Sequence, residues 1–541
     1  MVSRLFNGAC KRSGVKITII THIGNSLPVF QRTPENMAAD KLFVYQINTW
    51  VWLNTLSRKY KKPITLSNVP NSALDELTRT GIDMVWLMGV WKRSPWGRKN
   101  ALQYKHEYVG ALPDITDDDV IGSAYSIGDY RVDERIGGRS GLASLRKRLK
   151  ERGVKLMLDF VPNHVGKDHR WVYEPGYIVE GKPEDLRNRS SDFFAVKLPD
   201  GKEKVLAHGR DPLFPGWSDT AQLNIFNPAL RREVISTLLD IASQCDGVRC
   251  DMAMLLISDI FANTWRGYVG AALPTEFWRE IIPAVKELHP NFIFTAEVYW
   301  NKEYDVIQQG FDFAYDKVLY DRIVENDVQK LRQHLVAGLD YQRHMMRFIE
   351  NHDEPRAYAR LGPQRSFPAA TLICTLPGAT LLHDGQFTGR TVKLPVQITR
   401  QPEEAHVKEL EAYYRRLLEE TRDPIYQEGE WYLFEIHPAW AGNITHFNML
   451  GYGWRNPESG AYRLIVVNLT QYRSQGRVHL GHWKWLDGKT WRLFDVTDGA
   501  EYDRHGGEMT KQGLYIDLEP YESHIFRFEP APEKRKQSAL S

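Results

Sequence analysis

The sequence predicts an α/β protein: a (β/α)8 TIM barrel with a small inserted domain after its third strand and a C-terminal antiparallel β-sandwich. Three observations predict it. From Leu42 onward, apolar strand-like runs alternate with amphipathic helical stretches, and the alternation repeats eight times. Between the third strand and the helix that follows, the stretch from Gly166 to Thr220 is too long for an ordinary barrel loop and rich in Gly, Pro and charge. From Arg422 the pattern changes to short strands separated by Gly, Asp and Asn turns, with no long helix.

The barrel units follow in order. LFVYQIN, from Leu42 to Asn48, is the first strand. A helix from Ser72 to Arg79 ends at Gly81, a suitable C-cap, and leads into the second strand, Ile82 to Trp91. A basic-faced helix from Leu142 to Glu151 precedes the third, Val154 to Val161. Pro228 opens a long helix through Cys245, after which GVRCDMA is the fourth strand. The helix from Thr275 to Leu288 precedes NFIFTAEV, the fifth. FDFAYD, MMRFIENHD and ATLLHDG supply the sixth to eighth, with helices over Val328–Val336, Ser366–Leu376 and Lys408–Glu420. Eight strand–helix units is the number that closes such a barrel. The expected layout is therefore an irregular extension over 1–40, the barrel over 41–165 and 221–421, the insertion over 166–220, the sandwich over 422–529 and a disordered tail over 530–541.

Composition narrows the function. Hydrophobic residues make up 42 % and charged residues 26 %, the balance of a folded, soluble chain. The 16 Trp and 25 Tyr could stack on sugar rings, but most are expected in the core. A net charge of +2, with Lys and Arg spread among Asp and Glu, argues against a nucleic acid, an anionic membrane or a polyanionic substrate as partner. Cys10, Cys245, Cys250 and Cys374 lack metal-ligand spacing and read as free thiols, a usage that fits a cytoplasmic location. Arg4, Lys11, Arg12 and Lys16 surround a short apolar stretch, Val15 to Ile23, which Lys16 and His22 interrupt. It reads as an extension, with a signal peptide as the minority reading. Composition does not address oligomeric state.

Chemistry concentrates in four segments. DFVPNHV, GVRCDMAM, FTAEVYW and FIENHDEP each end an apolar run with polar groups: Asp159 and His164, Arg249 and Asp251, Glu297, and His352 with Asp353. In a parallel barrel such groups gather at the C-terminal ends of the strands. Arg249 and Asp251 are two residues apart on a strand and so share the interior face, where the guanidinium is expected to lower the Asp251 pKa and keep it ionised as a nucleophile for a sugar C1. Glu297 would keep its proton and deliver it to the leaving oxygen, the division of labour in a retaining glycosidase. Each segment alone is a weak signal; four in order at correctly spaced strand ends is a strong one.

These segments resemble the four ordered regions of the α-amylase family, glycoside hydrolase family 13, and the resemblance runs from about Leu42 to Glu529. It implies Asp251 as nucleophile, Glu297 as general acid/base and Asp353 as transition-state stabiliser, with Arg249, His164 and His352 lining the subsite of the cleaved glucose and Tyr125 stacking on that sugar. Gln222 to Asn224 resembles the family's fifth region. No cofactor is required; calcium enters only through Asn163, which matches one family calcium ligand. In many relatives a Lys-His pair follows the nucleophile, serving leaving-group subsites and a calcium site, but Met254 and Leu255 stand there and are expected to make those subsites less polar. Gly122 replaces the Asp typical of exo-acting α-glucosidases, and GQF, Gly385 to Phe387, replaces Gly-Gln-Glu.

The expected activity is hydrolysis of α-glucosidic bonds in starch-type α-glucans or maltooligosaccharides through a covalent glycosyl-enzyme. Transglycosylation or sugar isomerisation by the same intermediate is the first alternative. A barrel that binds glucan or a partner protein without catalysis is the second, disfavoured because all three carboxylates are present.

Overall fold

A computed structural model describes residues 41–79, 81–198 and 200–531. The expected extension over 1–40, with Cys10 and the stretch Val15 to Ile23, and residues 532–541 of the expected tail lie outside the described residues. Eight strands, β1 (Phe43–Asn48), β2 (Met84–Met88), β3 (Lys155–Phe160), β4 (Gly247–Cys250), β5 (Ile293–Ala296), β6 (Phe313–Tyr315), β7 (Met345–Arg347) and β8 (Ala379–His383), form a closed parallel barrel in sequential order. All eight were legible as apolar runs. Alternation along each strand divides its side chains between two cores. Val44, Met84, Trp86, Met157, Ile293, Tyr315, Met346 and Leu381 fill the barrel interior. Their neighbours Phe43, Tyr45, Val85, Leu158 and Phe294 pack outward in the core shared with the helices.

Caps set where the helices begin. Asn48 accepts from the Val51 N–H and starts the helix Thr49–Tyr60, which the sequence reading did not include. Asn227 caps the helix Pro228–Gln244, whose first position is the proline, a residue suited to a site with no amide to satisfy. The insertion is small: its neck is the antiparallel pair His164–Gly166 with Thr220–Gln222, and it carries one hairpin, Phe193–Lys197 with Glu203–Ala207. Its buried residues Trp171, Ile178, Phe193 and Leu206 belong to the same core as the barrel helices.

Beyond the last barrel helix, Lys408–Glu420, a six-stranded and a three-stranded antiparallel sheet enclose a second core that includes Phe434, Leu464, Trp483, Leu493, Ile516 and Phe526. The final strand, Ser523–Pro530, runs one residue into the expected tail, because Pro530 still faces Trp491 in the sheet. The other face of the large sheet lies on the barrel: Tyr452 OH is 2.6 Å from Thr375 Oγ1, and Trp454 Nε1 donates to the Thr375 carbonyl at 2.9 Å. Cys245, Cys250 and Cys374 are buried and unbridged. Among the described residues, no helix is long and apolar enough to cross a membrane.

Glu420 fastens the sheet to the barrel. It is 1 % exposed and accepts from Arg463 Nε at 2.6 Å, Arg527 Nε at 2.7 Å and Tyr426 OH at 3.1 Å. Glu420→Gln keeps the volume and removes the charge, leaving two guanidinium groups facing a neutral amide. Breaking a buried pair costs about 3–5 kcal/mol. Arg463 keeps Asp423 and the Arg527 side chain is 39 % exposed, so the expected loss is about 2–3 kcal/mol. Urea unfolding should show it as a lower midpoint at unchanged slope; an unchanged midpoint would mean that the network contributes no net stability.

Candidate active site

Arg249 is the hub. It lies on β4 level with Asp159 of β3 and Thr295 of β5, and its side chain points into the barrel. Nη1 donates to Asp251 Oδ1 at 2.7 Å, Nη2 lies 2.7 Å from Glu297 Oε1, and the same nitrogen is 3.8 Å from Asp353 Oδ2. One guanidinium thus touches two of the carboxylates and faces the third. Three aromatic rings surround its plane, with centroids 5.2 Å (Tyr125), 5.4 Å (Trp86) and 5.7 Å (Tyr315) from its central carbon. The π faces favour a planar cation, so the charge is held by rings as well as by carboxylates.

The three carboxylates differ in surroundings. Glu297 is buried, receives the Met252 N–H on Oε2 at 2.7 Å and the Tyr299 hydroxyl on Oε1 at 2.9 Å, and is pushed up to about 7: burial, reinforced by Asp251 and Asp353, outweighs Arg249. Asp251 is also buried and is pushed up to about 6; burial outweighs Arg249 here too, which corrects the expectation that the guanidinium lowers this group. The order is kept, with Asp251 the stronger acid. Burial would also raise Asp353, but His352, Arg249 and Lys393 reverse it and hold this group well below the usual carboxylate range. Its side chain is 46 % exposed, so a charged oxygen faces the cleft.

Tyr125 and His352 form a second constellation. Their rings stack at 5.3 Å, Tyr125 OH is 2.6 Å from His352 Nε2, and that nitrogen is 2.9 Å from Asp353 Oδ2. Gln46 on β1 holds the other side of the imidazole, its amide nitrogen 2.6 Å from Nδ1. His164 is placed apart. Its ring packs on Trp217 of the insertion at 4.9 Å and contacts the Tyr125 carbonyl and Asn163, not the three carboxylates. Burial pushes it down to about 3, so it is a neutral ring. Asp159 accepts from Trp86 Nε1 and the Gly89 N–H at 2.9 and 2.6 Å, a structural clamp beneath the cleft.

Sequence reasoning missed five contributors: Gln46, Trp86, Tyr299, Tyr315 and the Met252 amide. Tyr299 carried the one available signal, its place two residues after Glu297. Met252 is held at φ 45°, a left-handed conformation that costs a non-glycine residue about 1–3 kcal/mol and here turns its N–H onto Glu297.

The family model for the α-amylase catalytic domain matches residues 71–432, from the helix before β2 into the first strand of the C-terminal sheets. The chain belongs to the α-amylase family. An α-amylase of Haloarcula japonica is 26 % identical over 327 residues, 59 % of this chain and 40 % of that protein. α-Amylase 3 of Dictyoglomus thermophilum is 24 % identical over 305 residues, 51 % of this chain and 56 % of that one. The chain spans about half the length of these curated relatives. In fold it is similar to a maltogenic α-amylase of Thermotoga neapolitana, with a TM-score of 0.63 at 19 % identity, covering 91 % of this chain and 100 % of that one.

One expectation tied to this α-amylase family chain changes in the structure. Met254 and Leu255 are 0 % and 2 % exposed and belong to the hydrophobic core, so they do not set the polarity of the leaving-group side. Asn163, the residue that matches a family calcium ligand, is 1 % exposed and its Oδ1 accepts from Gln222 Nε2 at 2.9 Å. Among the described residues, no group of three or more His, Cys, Asp and Glu is arranged to hold a metal ion.

Proposed function

We propose that the protein is a retaining glycoside hydrolase that cleaves α-glucosidic bonds in maltooligosaccharides or α-glucans. The observation that carries this reading is the single guanidinium of Arg249 against both Asp251 and Glu297, with Asp353 charged and open beside it. That compact arrangement suits a retaining pair, whose carboxyls lie about 5–5.5 Å apart, better than the wider gap an inverting enzyme needs for its water. Asp251 attacks C1 as Glu297 gives its proton to the glycosidic oxygen. The leaving sugar departs with that proton, and a glycosyl ester to Asp251 remains. Glu297, now a carboxylate, takes a proton from water, whose oxygen attacks C1 from the face the leaving group vacated as the C1–O bond to Asp251 breaks and returns Asp251 as a carboxylate. Asp353 and the charge on Arg249 set the field around the oxocarbenium-like transition state, and the Tyr125–His352 stack is the surface on which the sugar ring rests.

Two inversions at C1 return the starting configuration. Proton NMR of the first products from maltotriose should therefore show the α-anomer before mutarotation. Initial release of the β-anomer would sink the retaining mechanism. Longer oligosaccharides as the main product at low substrate would move the reading to transglycosylation.

A further inference from the structure

Resting on that reading of Asp251 and Glu297, we infer that the segment 390–401 after β8 is a fixed wall that closes the glycone end of the cleft, so that the enzyme attacks α-glucans from their non-reducing ends. The segment leaves β8 and reaches the helix that follows β1, where Gln401 Nε2 donates to Thr55 Oγ1 at 3.1 Å. It pairs with the excursion that follows β2: Val120 and Ile398 form an antiparallel bridge, Ile121 N–H donates to the Gln397 carbonyl at 2.8 Å, and Thr399 N–H to the Asp119 carbonyl at 2.9 Å. Arg400 clamps the junction, with Nε and Nη2 on the two oxygens of Asp119 at 2.5 and 2.8 Å and Nη1 on Asp114 Oδ2 at 2.8 Å. Ile398 is fully buried in a small separate core with Val120, Leu112, Tyr108 and Ala101. These are contacts of a built structure, not of a loose loop.

The wall touches the site at its sugar-holding side. Lys393 Nζ donates to the Asp353 carbonyl, Val396 and Tyr125 each pack against the interior core, and buried Arg93 binds the Val396 and Gly122 carbonyls through one nitrogen at 2.7 and 2.5 Å. Gly122 has φ +90°, and a Cβ there would stand 2.9 Å from the Arg98 amide nitrogen, so the Asp typical of exo-acting α-glucosidases has no room and the segment 390–401 supplies the barrier instead. Direction follows from the ring order of the strands. Glu297, which protonates the leaving oxygen, follows β5, opposite β1 in the eight-strand circle. The leaving sugars therefore extend toward β4 and β5, and the glycone runs into the segment that spans β8, β1 and β2.

The test compares three substrates with the full chain: p-nitrophenyl α-maltoheptaoside, the same compound with its non-reducing glucose blocked as the 4,6-ethylidene acetal, and β-cyclodextrin, which has no end. The open substrate should be cleaved, and the blocked and cyclic ones at least ~100-fold more slowly. Comparable rates on all three would overturn the wall while leaving the proposed hydrolase standing. No turnover of any α-glucoside would instead remove the hydrolase reading, and the wall with it. Arg400→Ala unfastens the segment without touching the carboxylates and should raise the blocked-to-open rate ratio roughly tenfold or more. Val396→Gly, which leaves the Arg400 clamp in place, should move the ratio the same way. A ratio unchanged in both folded variants would assign the discrimination elsewhere and overturn the role given to this segment.

Discussion

Asp251→Asn is expected to lower kcat on maltooligosaccharides by ~10^4-fold or more, about 5.5 kcal/mol of transition-state stabilisation, while binding of the same sugars changes by only a few-fold. The amide oxygen is a poor nucleophile, so the glycosyl ester cannot form at a useful rate. The shape of the site should survive. Arg249 Nη1, now 2.7 Å from Asp251 Oδ1, can still donate to an amide oxygen, and it keeps Glu297 and its three aromatic neighbours. The Tyr125–His352 stack, on which the sugar is proposed to rest, does not contain Asp251. Turnover by reducing-end assay and affinity by calorimetry check the two halves separately. A rate within tenfold of the parent would remove Asp251 as nucleophile. Equal binding together with a parent that shows no turnover at all would favour the non-catalytic barrel.

How much of this was legible in the sequence depends on whether a feature is local. The eight strands were readable because each is a short apolar run bounded by turns, and Arg249 and Asp251 were readable as neighbours because residues two apart on a strand share a face. Gln46, Trp86 and Tyr315 were not readable as partners of the site: they lie on strands far from Arg249 along the chain, and only closure of the barrel brings them to His352 and Arg249. The balance at Asp251 was misread for a related reason. A nearby arginine is visible in the sequence, but the depth of burial that outweighs it is a property of the packed barrel. Met254 and Leu255 show the same limit. Their position after the nucleophile suggested the cleft, whereas a turn through Met252 directs them into the core. The segment 390–401 has no regular secondary structure and no period to read; its place is set by Arg400, Lys393 and Val396 meeting groups from the excursion after β2 and the loop after β7.

Glu297→Gln is expected to lower kcat/KM on oligosaccharides by ~10^2–10^4-fold, the usual contribution of a general acid, and to change the pH profile in a specific way. In the proposed mechanism Glu297 works in its protonated form and Asp251 in its ionised form. In the parent, activity should therefore rise as pH climbs through about 6, where Asp251 loses its proton, and fall as pH passes about 7, where Glu297 loses its own. The glutamine cannot titrate, so the alkaline limb should vanish while the acid limb remains. Glu297 is already protonated and neutral on the acid limb, so replacing it by a neutral amide should leave that limb close to its place in the parent. Leaving-group chemistry supplies an independent reading. Fluoride departs without a proton, so α-glucosyl fluoride should form the glycosyl-enzyme almost as fast in the variant as in the parent, and its burst phase should survive even where steady turnover is slow for want of a general base. The substituted amide can keep one of the contacts that Glu297 receives from the Met252 amide and the Tyr299 hydroxyl, so the melting temperature should stay within a few degrees. Equal losses on fluoride and oligosaccharide in a folded variant, with the alkaline limb still present, would take the proton-donor role away from Glu297 and leave it a neutral partner that positions Arg249.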